Sequence, residues 1–192
     1  MVDKNGTLTL IDFGIGYSKN TPMFTQQGDQ IADDKMSTNV QTLWYRAPEV
    51  LLGSDKAYSY KIDIWSIGVV LAEMLLPPDG VKTYLFQTNE LSEFKTLIDI
   101  FKLRGTPSSS EWKRLAELPN WDESKFPKFP QRSKTKLIST MPILADNPEL
   151  LSLLEGLLEV NPERRFNIKQ ALEHPFFTKA GFKPSEPYLS PI

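Results

Sequence analysis

The 192 residues are 40% hydrophobic and 24% charged, proportions that exclude a disordered or collagen-like chain and allow one sizeable buried core. With 22 basic residues against 24 acidic ones, the formal net charge of −2 gives no general attraction to nucleic acid or to an anionic membrane. No cysteine and a single histidine, His174, rule out a disulfide framework, a thiolate zinc site, a cysteine nucleophile and a two-histidine metal site.

The first residues, Met1-Val2-Asp3-Lys4, are polar at once and lead into no apolar secretory stretch. Asn5-Gly6 is a two-residue turn signal, and Thr7 to Ile11 alternates as a strand does. Only Met1 and Val2 offer an apolar partner, so the expectation is a short β-hairpin remnant of a larger fold. The 32 residues between Gly14 and Ala47 show no period, and connections of that length are usually functional or disordered. Tyr60 to Leu76 is apolar on nearly all sides and reads as a helix surrounded by protein; Asp63 and Glu73 make it too charged to span a bilayer comfortably.

Leu91, Phe94, Leu97, Ile98 and Phe101 form one stripe of an amphipathic helix, stopped by Gly105 and Pro107. Trp112 to Pro130, rich in aromatics and prolines, reads as an irregular packed excursion. Asn147-Pro148-Glu149 is a cap ahead of Leu150, Leu151, Leu154, Leu157 and Leu158, which read as core rather than a zipper. A last short helix is expected from about Asn167 to His174, ending at Pro175. His174 reads as a capping or packing residue rather than a base. The basic residues Lys125, Lys128, Arg132, Lys134 and Lys136 read as a solvated loop, with docking of an acidic partner second.

Four segments carry candidate chemistry. Asp12-Phe13-Gly14 follows the strand, where a carboxylate beside a glycine can present oxygen to a hard cation such as Mg²⁺. The others are Thr42-Leu43-Trp44-Tyr45-Arg46-Ala47-Pro48-Glu49, Asp63-Ile64-Trp65-Ser66-Ile67-Gly68, and Asn161-Pro162-Glu163-Arg164-Arg165 followed by His174-Pro175-Phe176-Phe177. In this order they resemble the C-terminal lobe of eukaryotic Ser/Thr protein kinases over essentially the whole chain. Thr42 to Glu49 is similar to the cyclin-dependent and mitogen-activated branch. Leu85-Phe86, Ile100-Phe101, Gly105-Thr106-Pro107, Trp112 and Phe126-Pro127 resemble the insert of cyclin-dependent kinases.

That resemblance implies a mainly α, partial kinase fold. A partial kinase domain would span 1–177, with an activation segment at 12–49, helices over 60–177 and a tail at 178–192. It implies ATP and Mg²⁺ as cofactors, with Asp12 as the ligand for the Mg²⁺ that bridges the phosphates. Thr42 would sit near the catalytic aspartate and help place the substrate, while Gln41 and Arg46 would shape the pocket for a proline after the phosphoacceptor. Glu49 would pair with Arg165 as a structural tie, and Asp63 would be a buried carboxylate accepting hydrogen bonds from the catalytic loop. Activating phosphorylation would fall at Ser37 or Thr38. Partners would be protein substrates and, in a whole kinase, a cyclin or other regulatory subunit, in the cytoplasm or nucleus, with no nucleic acid and no membrane.

Three departures qualify the resemblance. Gln41 stands where the family usually has a small apolar residue, which puts proline-directed specificity in doubt. Tyr17 replaces an activation-segment arginine. The glycine-rich loop, the strand lysine with its helix glutamate, and the catalytic aspartate and asparagine have no counterpart in these residues. The chain alone is therefore expected to hold one weak Mg²⁺ ligand and part of a peptide platform without transferring phosphate. A catalytically silent, kinase-like protein-binding module is the rival reading.

Overall fold

Helical segments recur from Pro48 onward, each set by local signals that the computed structural model makes explicit. The structure describes residues 3–4, 6–16, 39–54, 58–78, 84–86, 90–130 and 134–179. Tyr17, Ser37, Thr38, Arg132 and residues 180–192 lie outside the described residues. Seven α-helices lie among the described ones: α1 (Pro48–Leu51), α2 (Lys61–Met74), α3 (Glu93–Arg104), α4 (Lys134–Thr140), α5 (Pro148–Leu157), α6 (Ile168–Leu172) and α7 (Pro175–Thr178). None of them is long and apolar enough to cross a membrane.

At the centre, α2 packs against α5. Gly68 makes the close approach possible: a Cβ there would lie 2.9 Å from both Leu157 Cβ and Leu158 Cδ2. Trp65 of α2, Leu97, Ile100 and Phe101 of α3, and Leu151 and Leu154 of α5 share one buried cluster. The Ser92 hydroxyl caps α3 by accepting from the Lys95 N–H, and Gly105, at φ 94°, ends it. After that stop, the Thr106 N–H donates to the Phe129 carbonyl and its hydroxyl accepts from the Phe129 N–H, closing the irregular stretch between them. Inside that closure Trp121 stacks on Phe126, and Phe101 meets Phe126 edge-on, each pair 5.2 Å apart.

Several expectations change. The turn at the start forms, with Gly6 N–H donating to Asp3 C=O and Thr7 N–H to the Asp3 carboxylate, but the strand over 7–11 does not extend beyond an isolated bridge at Leu8. A two-stranded hairpin is marginal unless something packs on it, and residues 6–16 are exposed. Nor is α2 enclosed on all sides, because Ile67, Val70 and Met74, at 50%, 48% and 77% exposure, form an outward apolar stripe. In α3, Leu97 and Phe101 are buried while Phe94 is half exposed, and Leu91 precedes the helix at 82% exposure.

Asn147 stands at the N-cap of α5, but its side chain donates back to the Ile143 carbonyl and caps nothing. Pro175 does not close the last helix; α6 ends at Leu172, and Pro175 opens α7 as its first residue. His174 caps α7, its Nδ1 accepting from the Phe176 N–H. In the basic loop, Lys125 pairs with Asp122, Lys128 with Glu123 and Lys134 with Glu155, so much of its charge is balanced locally.

Candidate functional site

The segment from Gln41 to Glu49 is built around one unusual backbone angle. Gln41 has φ 63°, a left-handed conformation uncommon outside glycine, asparagine and aspartate and typical of functional or clamped positions. Its side-chain amide turns toward α2, where Nε2 donates to the Ile62 carbonyl at 2.9 Å and to Ser66 Oγ at 2.6 Å. Its Oε1 accepts from the Ala47 N–H at 3.1 Å. Ser66 Oγ donates on to the Tyr45 carbonyl at 3.0 Å. The amide thus ties the ends of a short 3₁₀ turn, Leu43–Tyr45, to the helix beneath it.

The Gln41 carbonyl is also taken. Arg46, itself buried, donates to it from Nη2 at 3.0 Å and from Nε at 3.4 Å. Its Nη1 reaches Glu93 Oε1, at the start of α3, at 2.6 Å. Thr42, next to Gln41, is exposed. Gln41, Thr42 and Arg46 therefore form one platform in which the backbone acceptor is occupied and the neighbouring hydroxyl residue faces solvent. Behind the platform, Tyr45 donates its phenol to Glu73 Oε2, and Glu73 Oε1 accepts from the Leu85 N–H. Burial, reinforced by the Glu73 carboxylate, pushes the Tyr45 phenol up to about 12.

Pro48 opens α1, which fixes Ala47 as extended and places Glu49 in the first helical turn. Glu49 and Arg165 meet there in a bidentate pair of 2.7 and 2.8 Å, with side chains 3% and 0% exposed. Arg165 also lies over the Trp65 ring, 5.1 Å from its centroid. Lys61 Nζ donates to the Arg165 carbonyl at 2.6 Å. Partial burial and the neighbouring Arg165 charge lower the Lys61 ammonium below its ordinary value.

Asp12 stands apart from this assembly. It has φ 64°, is exposed, and makes no hydrogen bond to the platform among the described residues. No cluster of three or more potential metal ligands occurs among those residues. One exposed carboxylate fits the way Mg²⁺ is usually held, by one or two carboxylates plus phosphate oxygens and water.

Asp63 corrects an expectation. It is exposed beside the outward stripe of α2, not buried, because the turn of the helix that carries Ile62 and Ile64 inward carries Asp63 outward. Partial burial still raises its carboxyl above the usual range. Ser66, Glu73 and Glu93 are site residues that sequence reading missed. For Ser66 a signal existed, since it follows Ile62 by four positions and shares its helix face.

A family model for the protein kinase domain matches residues 1–177. Cyclin-dependent kinase B2-1 of Oryza sativa subsp. japonica is 36% identical over 174 residues, covering 91% of this chain and 46% of that protein. Serine/threonine-protein kinase ppk23 of Schizosaccharomyces pombe is 36% identical over 191 residues, covering 100% of this chain and 42% of that protein. Cyclin-dependent kinase 11.1 of Caenorhabditis elegans is 34% identical over 191 residues, 100% of this chain and 23% of that protein. Among solved structures, one of the CAK complex from Chaetomium thermophilum bound to ATP-gamma-S matches with a TM-score of 0.66 and 28% identity, covering 82% of this chain and 46% of that one. The chain spans less than half the length of the curated relatives it matches.

Proposed function

The chain belongs to the protein kinase domain family, and on that premise we propose that it is the C-lobe portion of a cyclin-dependent-kinase-like enzyme that phosphorylates serine and threonine hydroxyls of proteins. The reaction moves the γ-phosphoryl group of ATP to the substrate oxygen, which loses its proton, and leaves ADP. Asp12 is the residue that would hold Mg²⁺, which would supply charge neutralisation at the phosphates. Thr42 presents the phosphoacceptor, and Glu49 with Arg165 keeps the platform seated on the last helices.

The single observation that carries the reading is the occupied Gln41 carbonyl. With Arg46 donating to it twice, a peptide lying over the platform finds no acceptor there for the N–H of the residue after its phosphoacceptor. Proline has no such N–H; any other residue buries one unpaired. Glutamine at this position supports proline selection because its side chain folds away from the peptide, into α2.

The 192 residues contain no glycine-rich phosphate loop, strand lysine or catalytic aspartate, so the chain by itself is silent in phosphoryl transfer. Incubating it with γ-labelled ATP and a Ser-Pro peptide tests this. No transfer above background is the expected result, and transfer abolished by Asp12→Asn overturns it. A cyclin or related subunit and a cytoplasmic or nuclear setting belong to the whole enzyme. A silent binding module is the second reading, favoured by a platform in which Gln41 and Arg46 are held by Ile62, Ser66 and Glu93 of this same chain; peptide binding without ATP binding would distinguish it.

A further inference from the structure

We infer that the cleft beside the Glu49–Arg165 pair is a binding site for an oxyanion, a phosphate or carboxylate group, carried on a small apolar body. The cleft measures about 210 Å³, room for about seven waters at ~30 Å³ each and less than a drug-sized ligand occupies. Trp112, Leu118 and Pro162 give it apolar walls, and Ser54, Ser59, Lys61 and Arg114 line it with hydrogen-bond donors. Ser54 is buried, at 8% exposure, yet its hydroxyl has no hydrogen-bond partner among the described residues, which is costly for a buried polar group. Trp112 is 2% exposed, and its indole N–H, which can only donate, makes no hydrogen bond among the described residues either. Ser59 Oγ accepts from the Lys61 N–H at 3.3 Å, which leaves its own hydrogen to give. Lys61 Nζ gives one of its three hydrogens to the Arg165 carbonyl. Arg114 meets Glu117 through Nε at 3.4 Å, and its terminal nitrogens keep their hydrogens.

Acceptors are scarce by comparison. Glu49 lines the cleft, but each of its carboxylate oxygens is taken by Arg165. Glu163 is the one further carboxylate among the described lining residues, and it is exposed. Lys61 and Arg114 therefore set two positive charges against one. A ligand that fits this lining brings acceptors and negative charge, and an oxyanion brings both. Partial burial and the neighbouring Arg165 both disfavour the Lys61 ammonium, an opposition that an anion in the cleft would relieve. The apolar walls favour an organic body behind the charged head over a bare inorganic ion. Because Glu49 and Lys61 are both partners of Arg165, the occupant would sit at the joint between α1, the start of α2 and the loop after α5.

The test uses the full 192-residue chain and three probes that share one ring and differ in the head group: phenyl phosphate, benzoate and uncharged benzamide. The Trp112 indole N–H signal, identified by its loss in Trp112→Phe, is followed by NMR at constant ionic strength. A saturable shift is expected with phenyl phosphate or benzoate, at an affinity about tenfold or more above that for benzamide, and the tighter of the two identifies the head group. Arg114→Gln and Ser54→Ala are each expected to weaken that anion by about tenfold. Glu163→Gln removes the opposing charge and is expected to tighten it by about twofold, a gain that misfolding cannot produce. No saturable shift with either anion, or equal affinity for benzamide, overturns the proposal, as does an affinity unchanged in both Arg114→Gln and Ser54→Ala. If those two variants fail to fold, unchanged or weaker anion binding by Glu163→Gln rejects it.

Discussion

Arg165 spends all five of its N–H groups in the fold, and Glu49 takes two of them. Nη1 and Nη2 each reach one Glu49 oxygen, and the remaining hydrogens go to the carbonyls of Glu159, Lys61 and Val160. The pair joins α1 to the loop after α5 across 116 residues of sequence. Removing the guanidinium strands a buried carboxylate and takes one donor from each of three carbonyls. Arg165→Ala should lose about 3–5 kcal/mol of unfolding free energy, measured by urea titration. Arg165→Lys should recover little of it, because an ammonium cannot present a planar fork. A loss below about 1 kcal/mol would mean that the pair is solvated.

Gly156 is set by contact rather than by backbone angle. A Cβ there would lie 2.1 Å from Phe166 Cε2, and the same two residues are joined by a hydrogen bond from Phe166 N–H to Gly156 C=O at 3.1 Å. Gly156→Ala should destabilise by about 1–3 kcal/mol through overpacking. Shortening the ring partner in Gly156→Ala with Phe166→Leu should return part of that loss. A melt unchanged by Gly156→Ala would contradict the contact.

His174 makes stability depend on pH. Burial holds its imidazole below the ordinary value, with Glu149 opposing in part, and the neutral Nδ1 accepts from Phe176 N–H while Nε2 meets Ser152 Oγ. Its folded pKa lies below its unfolded value, so its contribution is complete above about pH 6.5 and is lost as the pH falls below that toward the folded pKa. The slope for this one proton is at most about 1.4 kcal/mol per pH unit. Urea midpoints for the wild-type chain and His174→Asn, compared at pH 7.5 and pH 5.5, should converge at the lower pH. Parallel midpoints would show that His174 does not titrate with folding.

Periodicity carried far where a helix packs on described neighbours. The leucines at 150, 151, 154, 157 and 158 are all buried. It failed where apolar residues are left exposed by the described ones: the stripe of α2 at Ile67, Val70 and Met74 reads in sequence like core and faces outward. Short elements were the least legible, since α4 and α7 span only seven and four residues and are set by their neighbours. The Asn167 and Gln170 capping box is legible from its spacing alone. At the platform, Gln41 and Arg46 were named through family resemblance, but the direction of the Gln41 amide depends on Ile62 and Ser66, 21 and 25 residues away. No local pattern encodes such a contact.

Joining this chain to the segment that precedes the Asp-Phe-Gly motif in a cyclin-dependent kinase, and measuring phosphate transfer from ATP to a Ser-Pro peptide with and without Asp12→Asn, addresses the kinase assignment most directly. Transfer by the joined polypeptide and a loss of about a hundredfold or more on Asp12→Asn is the predicted result. Equal rates with aspartate and asparagine at position 12, or a joined polypeptide that folds and binds ATP yet transfers nothing, would contradict it.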